Sequence, residues 1–315
     1  MLLALHVDDF ILLYQTEPQL AWVLSGLGRS YGLKDLGELT YALGTHFIRN
    51  ELGISLTQRE YTLNVLKKFG FAEAHPTHTP YLPTSSNPSL KPTGLEKWHM
   101  NEIVGSLIWL SIISRPDITY AVARLAQSVS DAKPMDYRAA ARVLRYLRGT
   151  PSHGIQYPHK SKDGLVAYVD ADFAADDDRK SQTGFILFFG GGPVAYKSTK
   201  QGLVALSTAE AELNAAVEAG KEALWFRTLF TELSIPLRLP ITLLEDNAAA
   251  ITLSDNSVMG KRTKHIDLRY CWINDKVQDG TLKLVKVTSS KNIADLLTKP
   301  LARDRFQHLV SLIVS

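Results

Sequence analysis

The chain has 315 residues, 45% of them apolar and 21% charged, with a formal net charge of +3. That length accommodates two domains around a well-buried core, and a single cysteine, Cys271, excludes an intramolecular disulfide and fits a reducing compartment. No stretch approaches the roughly 20 apolar residues of a membrane span. The apolar start, residues 1–5, has no positive flank and is soon broken by Asp8 and Asp9, so it does not read as a secretory leader. Charge is unevenly divided: residues 1–162 hold 17 Lys+Arg against 13 Asp+Glu, and residues 163–315 hold 18 against 19. The basic excess in the first half is a weak pointer to a polyanionic partner.

Residues 2–14 predict a strand, an acidic turn and a second strand. Residues 16–30 predict a helix with Thr16 as N-cap and Pro18 in its first turn. Strands are expected over 39–47 and 54–56 around a turn at 50–53, then a helix over 58–69 with Tyr61, Val65, Leu66 and Phe69 on one face. The Pro/Ser/Asn-rich stretch 76–94 reads as a loop. Helices follow over 99–113, 116–130 and 134–148. The last carries Arg138, Arg142, Arg145 and Arg148 at helical spacing, opposite Val143, Leu144 and Leu147. Such a stripe serves either as a solvated face or as a set of phosphate contacts.

Glycines and prolines over 149–164 mark an expected domain boundary. Beyond it the pattern predicts strands at 165–171, 183–189 and 194–198, with a hairpin turn at Gly190, Gly191 and Gly192. Helices are expected at 207–219 and 221–233, a strand at 240–245, helices at 247–254 and 263–278, a strand at 281–287 and a helix at 291–298. Three strands followed by alternation imply an α/β unit with a mixed sheet and helices packed on it.

Four acids fall beside apolar segments. Asp170 follows the run 165–169, and Asp246 lies just past the run 241–244. Ser207 and Glu210 form a capping box, which gives Glu210 a structural role. Glu212 has none, and the helix wheel sets it on the flank of the stripe made by Ala209, Leu213, Ala216 and Val217. Asp295 sits early in a helix, where the macrodipole favours any acid, and Asp246 precedes the plausible N-cap Asn247. A carboxylate beside a core is costly unless it is paired or metal-bound. Four of them suggest an oxygen-rich site for magnesium or manganese, whereas no Cys/His spacing supports zinc and no phosphate-binding glycine loop is present.

Several strings carry a family resemblance. Tyr168-Val-Asp-Ala-Asp-Phe-Ala, Asp178-Arg-Lys-Ser-Gln-Thr-Gly, Ala205-Leu-Ser-Thr-Ala-Glu-Ala-Glu, Glu245-Asp-Asn, Arg262-Thr-Lys-His-Ile-Asp and Ile293-Ala-Asp-Leu-Leu-Thr-Lys-Pro-Leu occur in this order. Together they resemble the RNase H domain of copia-type LTR retrotransposon polyproteins. Upstream, Leu5-His-Val-Asp-Asp is similar to the reverse-transcriptase box Tyr-Val-Asp-Asp, with His6 in place of the tyrosine. Leu33-Lys-Asp-Leu-Gly-Glu-Leu-Thr-Tyr, Val104-Gly-Ser-Leu-Ile-Trp-Leu, Ser114-Arg-Pro-Asp-Ile and Leu144-Arg-Tyr-Leu-Arg-Gly-Thr resemble the segments that follow that box.

The resemblance implies an RNase H-like mixed five-stranded sheet with flanking helices over 159–315. A truncated reverse-transcriptase palm over 1–57 and a helical thumb/connection over 58–158 would precede it, making the N-terminal part α+β. It implies catalytic, metal-binding acids at Asp170, Glu212, Asp246 and Asp295 and two Mg²⁺ or Mn²⁺ ions. Asp170 would bridge the ions, with Glu212 and Asp246 on one and Asp295 on the other. The expected substrate is the RNA strand of an RNA/DNA hybrid. Lys197, Lys200, Arg262, Lys264 and His265, with Arg138, Arg142 and Arg145, are expected nucleic-acid contacts. Asp8 and Asp9 are expected to be a polymerase remnant, because the sequence opens at the box without the earlier palm aspartate. No membrane partner is expected, only the remainder of a polyprotein, and the site of action is a cytoplasmic particle or the nucleus rather than outside the cell. The alternatives are a non-catalytic remnant kept for binding and a segment of a longer polyprotein.

Overall fold

A computed structural model describes residues 1–82, 93–161, 164–174, 178–255 and 268–314. The chain opens with an antiparallel hairpin, β1 (Leu2–His6) and β2 (Asp9–Leu13), in which His6 faces Asp9. Helix α1 (Glu17–Tyr31) follows; it starts after Thr16 with Pro18 in its first turn and stops at Gly32 in the left-handed conformation. A second, antiparallel sheet is built from β3 (Tyr41–Ala42), β4 (Thr45–Asn50) and β5 (Gly53–Thr57). Helix α2 (Arg59–Phe69) buries Val65, Leu66 and Phe69.

Three helices come next: α3 (Met100–Ile113), α4 (Thr119–Gln127) and α5 (Pro134–Gly149). The helix expected over 116–130 is broken into a 3-10 turn at Pro116–Ile118, α4 and a second 3-10 turn at Val129–Asp131. The cause of the first break is tertiary. Asp117 is pulled inward by Arg115, whose Nη2 lies 2.8 Å from Asp117 Oδ2, and the Tyr146 hydroxyl donates to the same oxygen at 2.7 Å. Arg115 also donates to the Thr150 carbonyl and hydroxyl, so this fully buried pair has its hydrogen bonds filled.

The stretch 149–164, read from its glycines and prolines as a boundary, contains a strand. Here β6 (Gly154–Pro158) pairs antiparallel with β5 and completes the sheet order β3-β4-β5-β6. Its Tyr157 hydroxyl donates to the carbonyl of Pro193, at 2.7 Å, so the strand also touches the larger sheet. Composition signalled a turn, but the free edge of β5 supplied a partner.

The larger sheet holds β7 (Val166–Asp172), β8 (Gln182–Phe189), β9 (Gly192–Lys200), β10 (Ile241–Glu245) and β11 (Leu282–Lys286). Their spatial order is β11-β10-β7-β8-β9. Strand β10 is parallel to both β7 and β11, whereas β8 runs antiparallel to β7 and β9. This is a mixed α/β sheet. Ala167, Val169 and Leu187 join Ala211, Ala215 and Ala219 of α6 (Thr208–Glu232) in one core. Ile186, Tyr168 and Phe188 belong to the other, with the helices of residues 59–149. A sheet covered on both faces explains the near-continuous apolar runs of its strands.

Helix α6 is one element where two were expected across Gly220. That glycine does not break the helix; a Cβ there would stand 3.0 Å from Leu282 Cδ1 and 3.1 Å from Trp272 Cζ3. It lets α6 lie close to α8 (Leu268–Gln278). Helix α7 (Ala248–Asp255) starts under Asn247, whose side-chain oxygen accepts from the amides of Ala249 and Ala250. The C-terminal part contributes two 3-10 turns, Ser289–Lys291 and Ile293–Leu297, and α9 (Arg303–Val310).

Candidate active site

Parallel pairing of β7 with β10 sets their carboxyl ends side by side, the usual place for a site in such a sheet. Asp170 projects from β7 and is only 2% exposed. Asp246 is the first residue past β10, half-buried beside it. Glu212 enters from the second turn of α6, 7% exposed. One carboxylate oxygen from each of these three lies within 4.8 Å of the other two. Among the described residues this is the one grouping of potential metal ligands.

Local rules account for the orientation of α6. The Ser207 hydroxyl accepts from the Glu210 amide at 3.2 Å, and Glu210 Oε2 accepts from the Leu206 amide at 2.7 Å. With Glu210 engaged at the cap, Glu212 turns inward, and its Oε2 is buried without a hydrogen-bond partner. An orphaned, buried carboxyl oxygen next to two further acids must either keep a proton or meet a cation. Hard oxygen donors at this spacing fit a divalent ion such as magnesium or manganese.

Glu245 is a fifth acid that the sequence reading passed over. It is fully buried, accepts the Asn247 amide on Oε1 at 2.9 Å, and leaves Oε2 without a partner. The signal was available: Ile241, Leu243 and Glu245 share one parity of β10, and the first two are core. Burial, then the neighbouring Glu245, Asp170 and Asp246, push the Glu212 carboxyl up to about 10. Burial, reinforced by Asp170 and Asp246 and opposed by the Asn247 amide, pushes Glu245 up to about 8. Asp170 is raised by burial to about 6, held back by Lys299.

Asp295 reaches the same region from the 3-10 turn Ile293–Leu297 rather than from an α-helix. Asn292 positions that turn: its side-chain amide donates to the carbonyl of Val169 at 2.8 Å, and its oxygen accepts from the Ala294 amide. Asp295 does not join the triad. It is held by Lys299, whose Nζ is 2.7 Å from Oδ1, and by Arg305 at Oδ2. Lys299 also lies 3.3 Å from Asp170 Oδ2, which accepts the Thr298 hydroxyl as well. The pair of carboxylates raises the Lys299 ammonium above its ordinary range, against the opposing effect of burial. Thr298, Lys299 and Arg305 escaped the sequence reading because their roles depend on the turn at 293–297 docking against β7.

The expected nucleic-acid contacts are dispersed. Lys197 is exposed on β9, and Lys200 is paired with Asp178 at 3.0 Å. Arg262, Lys264 and His265 lie outside the described residues. In the α5 stripe, Arg142 donates to the Thr79 hydroxyl at 2.8 Å and Arg148 to the carbonyl of Ala72. Those two arginines pin the segment after α2 instead of forming an open phosphate comb. Arg138 is half-buried and Arg145 exposed. Asp8 and Asp9 are exposed at the tip of the β1–β2 hairpin, which among the described residues pairs with no third strand.

Fold and cluster together define an α/β protein whose buried acids converge at the carboxyl edge of its central parallel strands. No family model matches the chain. It is 36% identical over 97% of its length to a retrovirus-related Pol polyprotein from transposon TNT 1-94 of Nicotiana tabacum, and 38% identical over 97% to that from transposon RE1 of Arabidopsis thaliana. The chain spans 24% and 21% of those relatives. It also matches an uncharacterised mitochondrial protein of Arabidopsis thaliana at 32% identity, over 71% of this chain and 94% of that one. The chain belongs to the family of copia-type retrovirus-related Pol polyproteins of plant transposons. A similar solved structure is LC11 RNase H1, with 16% identity and a TM-score of 0.35 over 43% of this chain and 92% of that one. Another describes LC11 RNase H1 in complex with an RNA/DNA hybrid, with 14% identity and a TM-score of 0.32 over 42% and 93%. In the described residues no helix is long and apolar enough to cross a membrane.

Proposed function

We propose that residues 159–315 form an RNase H-type endonuclease that hydrolyses the RNA strand of RNA/DNA hybrids with two divalent ions. The observation that carries this reading is the buried triad Asp170, Glu212 and Asp246, with the orphaned Glu212 Oε2 inside it. Family membership supports it, since the relatives are retrotransposon Pol polyproteins. On this reading the preceding segments, 1–57 and 58–158, correspond to the end of a reverse-transcriptase palm and a thumb/connection. Asp8 and Asp9 then correspond to its active-site box. The protein acts inside the cell, where hybrids arise.

Asp170, Glu212 and Asp246 would hold one ion, and Asp170 with Asp295 the other. Bound divalent ions supply charge stabilisation at the scissile phosphate and make water a better nucleophile near neutral pH. The chain's own residues do the positioning. Asn292 fixes the 3-10 turn against β7, and the Thr298 hydroxyl orients the Asp170 carboxylate by donating to one of its oxygens. Glu210, held at the cap, sets the phase that aims Glu212 inward.

The test is cleavage of a labelled hybrid in Mg²⁺ by the chain and by Asp246→Asn. Internal cuts in the RNA strand are expected. Removing a ligand should reduce them by at least about 100-fold, since even outer-shell changes cost about 10–100-fold. A second reading, a binding remnant without catalysis, draws on the cations already seated on Asp295. An unmutated chain that binds the hybrid and leaves it intact in Mg²⁺ and in Mn²⁺ would decide for that remnant.

A further inference from the structure

Asp170 divides the site into two unequal sides. Toward α6 lie Glu212, Asp246 and Glu245, and Glu212 Oε2 and Glu245 Oε2 are buried without a hydrogen-bond partner; Asp295 Oδ1 also lacks a hydrogen bond, but the Lys299 ammonium stands 2.7 Å from it. Toward the turn at 293–297 lies Asp295, already held by Lys299 and Arg305. Both contacts to Asp170 from that direction, the Thr298 hydroxyl and the Lys299 ammonium, fall on Oδ2 and leave Oδ1 for the triad.

The geometry points to Lys299 as a resident cation that holds the place of the second divalent ion. The protein at rest then takes up one ion, on Asp170, Glu212 and Asp246, and a second only when the ammonium withdraws. This inference rests on the metal-dependent reading given above. A hard divalent ion held by Asp170 and Asp295 would need their oxygens as direct ligands, free of another cation. The Lys299 ammonium stands 2.7 Å from Asp295 Oδ1 and 3.3 Å from Asp170 Oδ2, so it fills the space between the same two carboxylates. Two like charges there repel strongly in a site largely shielded from water.

Withdrawal is open to Lys299 because its side chain is 35% exposed, while the Asp170 and Asp295 side chains are 2% and 4% exposed. Arg305 stays on Asp295 Oδ2 and keeps that carboxylate from being left uncompensated. Among the described residues no ion pair joins a cation to Glu212, Asp246 or Glu245, whereas Lys299 and Arg305 are seated on Asp295. The first ion therefore goes to the triad, and Lys299 sets the affinity for the second.

Ion counting on the full chain without nucleic acid tests this, by Mn²⁺ paramagnetic resonance and Mg²⁺ calorimetry. The unmutated chain is expected to bind one ion. Lys299→Met is expected to bind two, the second at least about 10-fold tighter than any second ion on the unmutated chain, in keeping with the usual leverage of groups next to metal ligands. Lys299→Arg, which keeps the charge, is expected to stay at one. Two ions of similar affinity on the unmutated chain, none at all, or a count of one for Lys299→Met would each overturn the proposal. Circular dichroism verifies folding, and Lys299→Gln replaces the Met variant if that one does not fold. The count needs no substrate. One ion rising to two with the hybrid left intact removes the nuclease reading alone; hybrid cleavage with an unchanged count removes this inference alone.

Discussion

Gly184 lies directly across the β7–β8 ladder from Asp170, and its missing side chain is what lets the turn bearing Asp295 dock there. A Cβ at this position would stand 2.6 Å from Thr298 Cγ2, 2.8 Å from Leu297 Cβ and 3.1 Å from the Leu297 carbonyl carbon. Gly184→Ala is therefore expected to push that turn off the sheet. The overpacking should lower unfolding free energy by about 1–3 kcal/mol, read by denaturant titration. Affinity for the ion of the triad should fall with it, because the Thr298 hydroxyl no longer orients the Asp170 carboxylate. Unchanged stability in Gly184→Ala would show that the turn is not held in this way.

The raised acids give the metal-free protein an unusual pH response. An acid whose folded pKa exceeds its unfolded value stabilises the fold below the unfolded value and loses that contribution as pH rises through the folded one. Glu245, raised to about 8, and Glu212, raised to about 10, are in this class. The burial-lowered His153 acts in the opposite sense, but around and below its ordinary range. Between about pH 7 and about pH 9 the metal-free chain should thus lose thermal stability, and saturating Mg²⁺ should flatten the slope while releasing protons. Melting temperatures in chelator and in Mg²⁺ check this; a flat chelator curve contradicts it.

Glu245→Gln separates the two glutamates. The amide oxygen keeps the bond from the Asn247 N–H, and the buried charge is gone. The melting temperature of the metal-free chain should rise at about pH 8, and the pH slope should shrink by roughly half, since one of the two raised acids remains. An identical slope in the variant would mean that Glu245 does not share in the titration.

Arg115 and Asp117 form the buried pair of the helical half, each at most 1% exposed. Arg115→Met leaves Asp117 charged and without its main partner, which should cost about 3–5 kcal/mol. Replacing both by apolar residues of similar volume should cost much less. Chemical denaturation of the single and double variants reads the difference. Equal losses would argue against a charge-desolvation origin.

Local chemistry was legible residue by residue. The Ser207/Glu210 cap, the hairpin at Gly190 and Gly191, the Asn247 cap and the face of α2 all follow from patterns a few residues long. The burial of Asp170, Glu212 and Asp295 was legible too, because each adjoins an apolar run whose periodicity sets its direction. Glu245 was hidden by its neighbour Asp246, although strand parity pointed it at the core. Gly220 misled because helix propensity is local, whereas its contacts with Trp272 and Leu282 come from distant chain.

By itself, then, the sequence determined the kind and order of most elements, the phase that turns Glu212 inward and the family. The tertiary structure alone decided which carboxylates meet and what neutralises them. Parallel pairing of β7 and β10 brings Asp246 to Asp170 across about 75 residues of chain. Docking of the 293–297 turn gives Asp295 to Lys299 and Arg305 rather than to the triad. Propensity and periodicity act over a turn or a strand. Charge interactions depend on distance and burial, which exist only once the chain has folded.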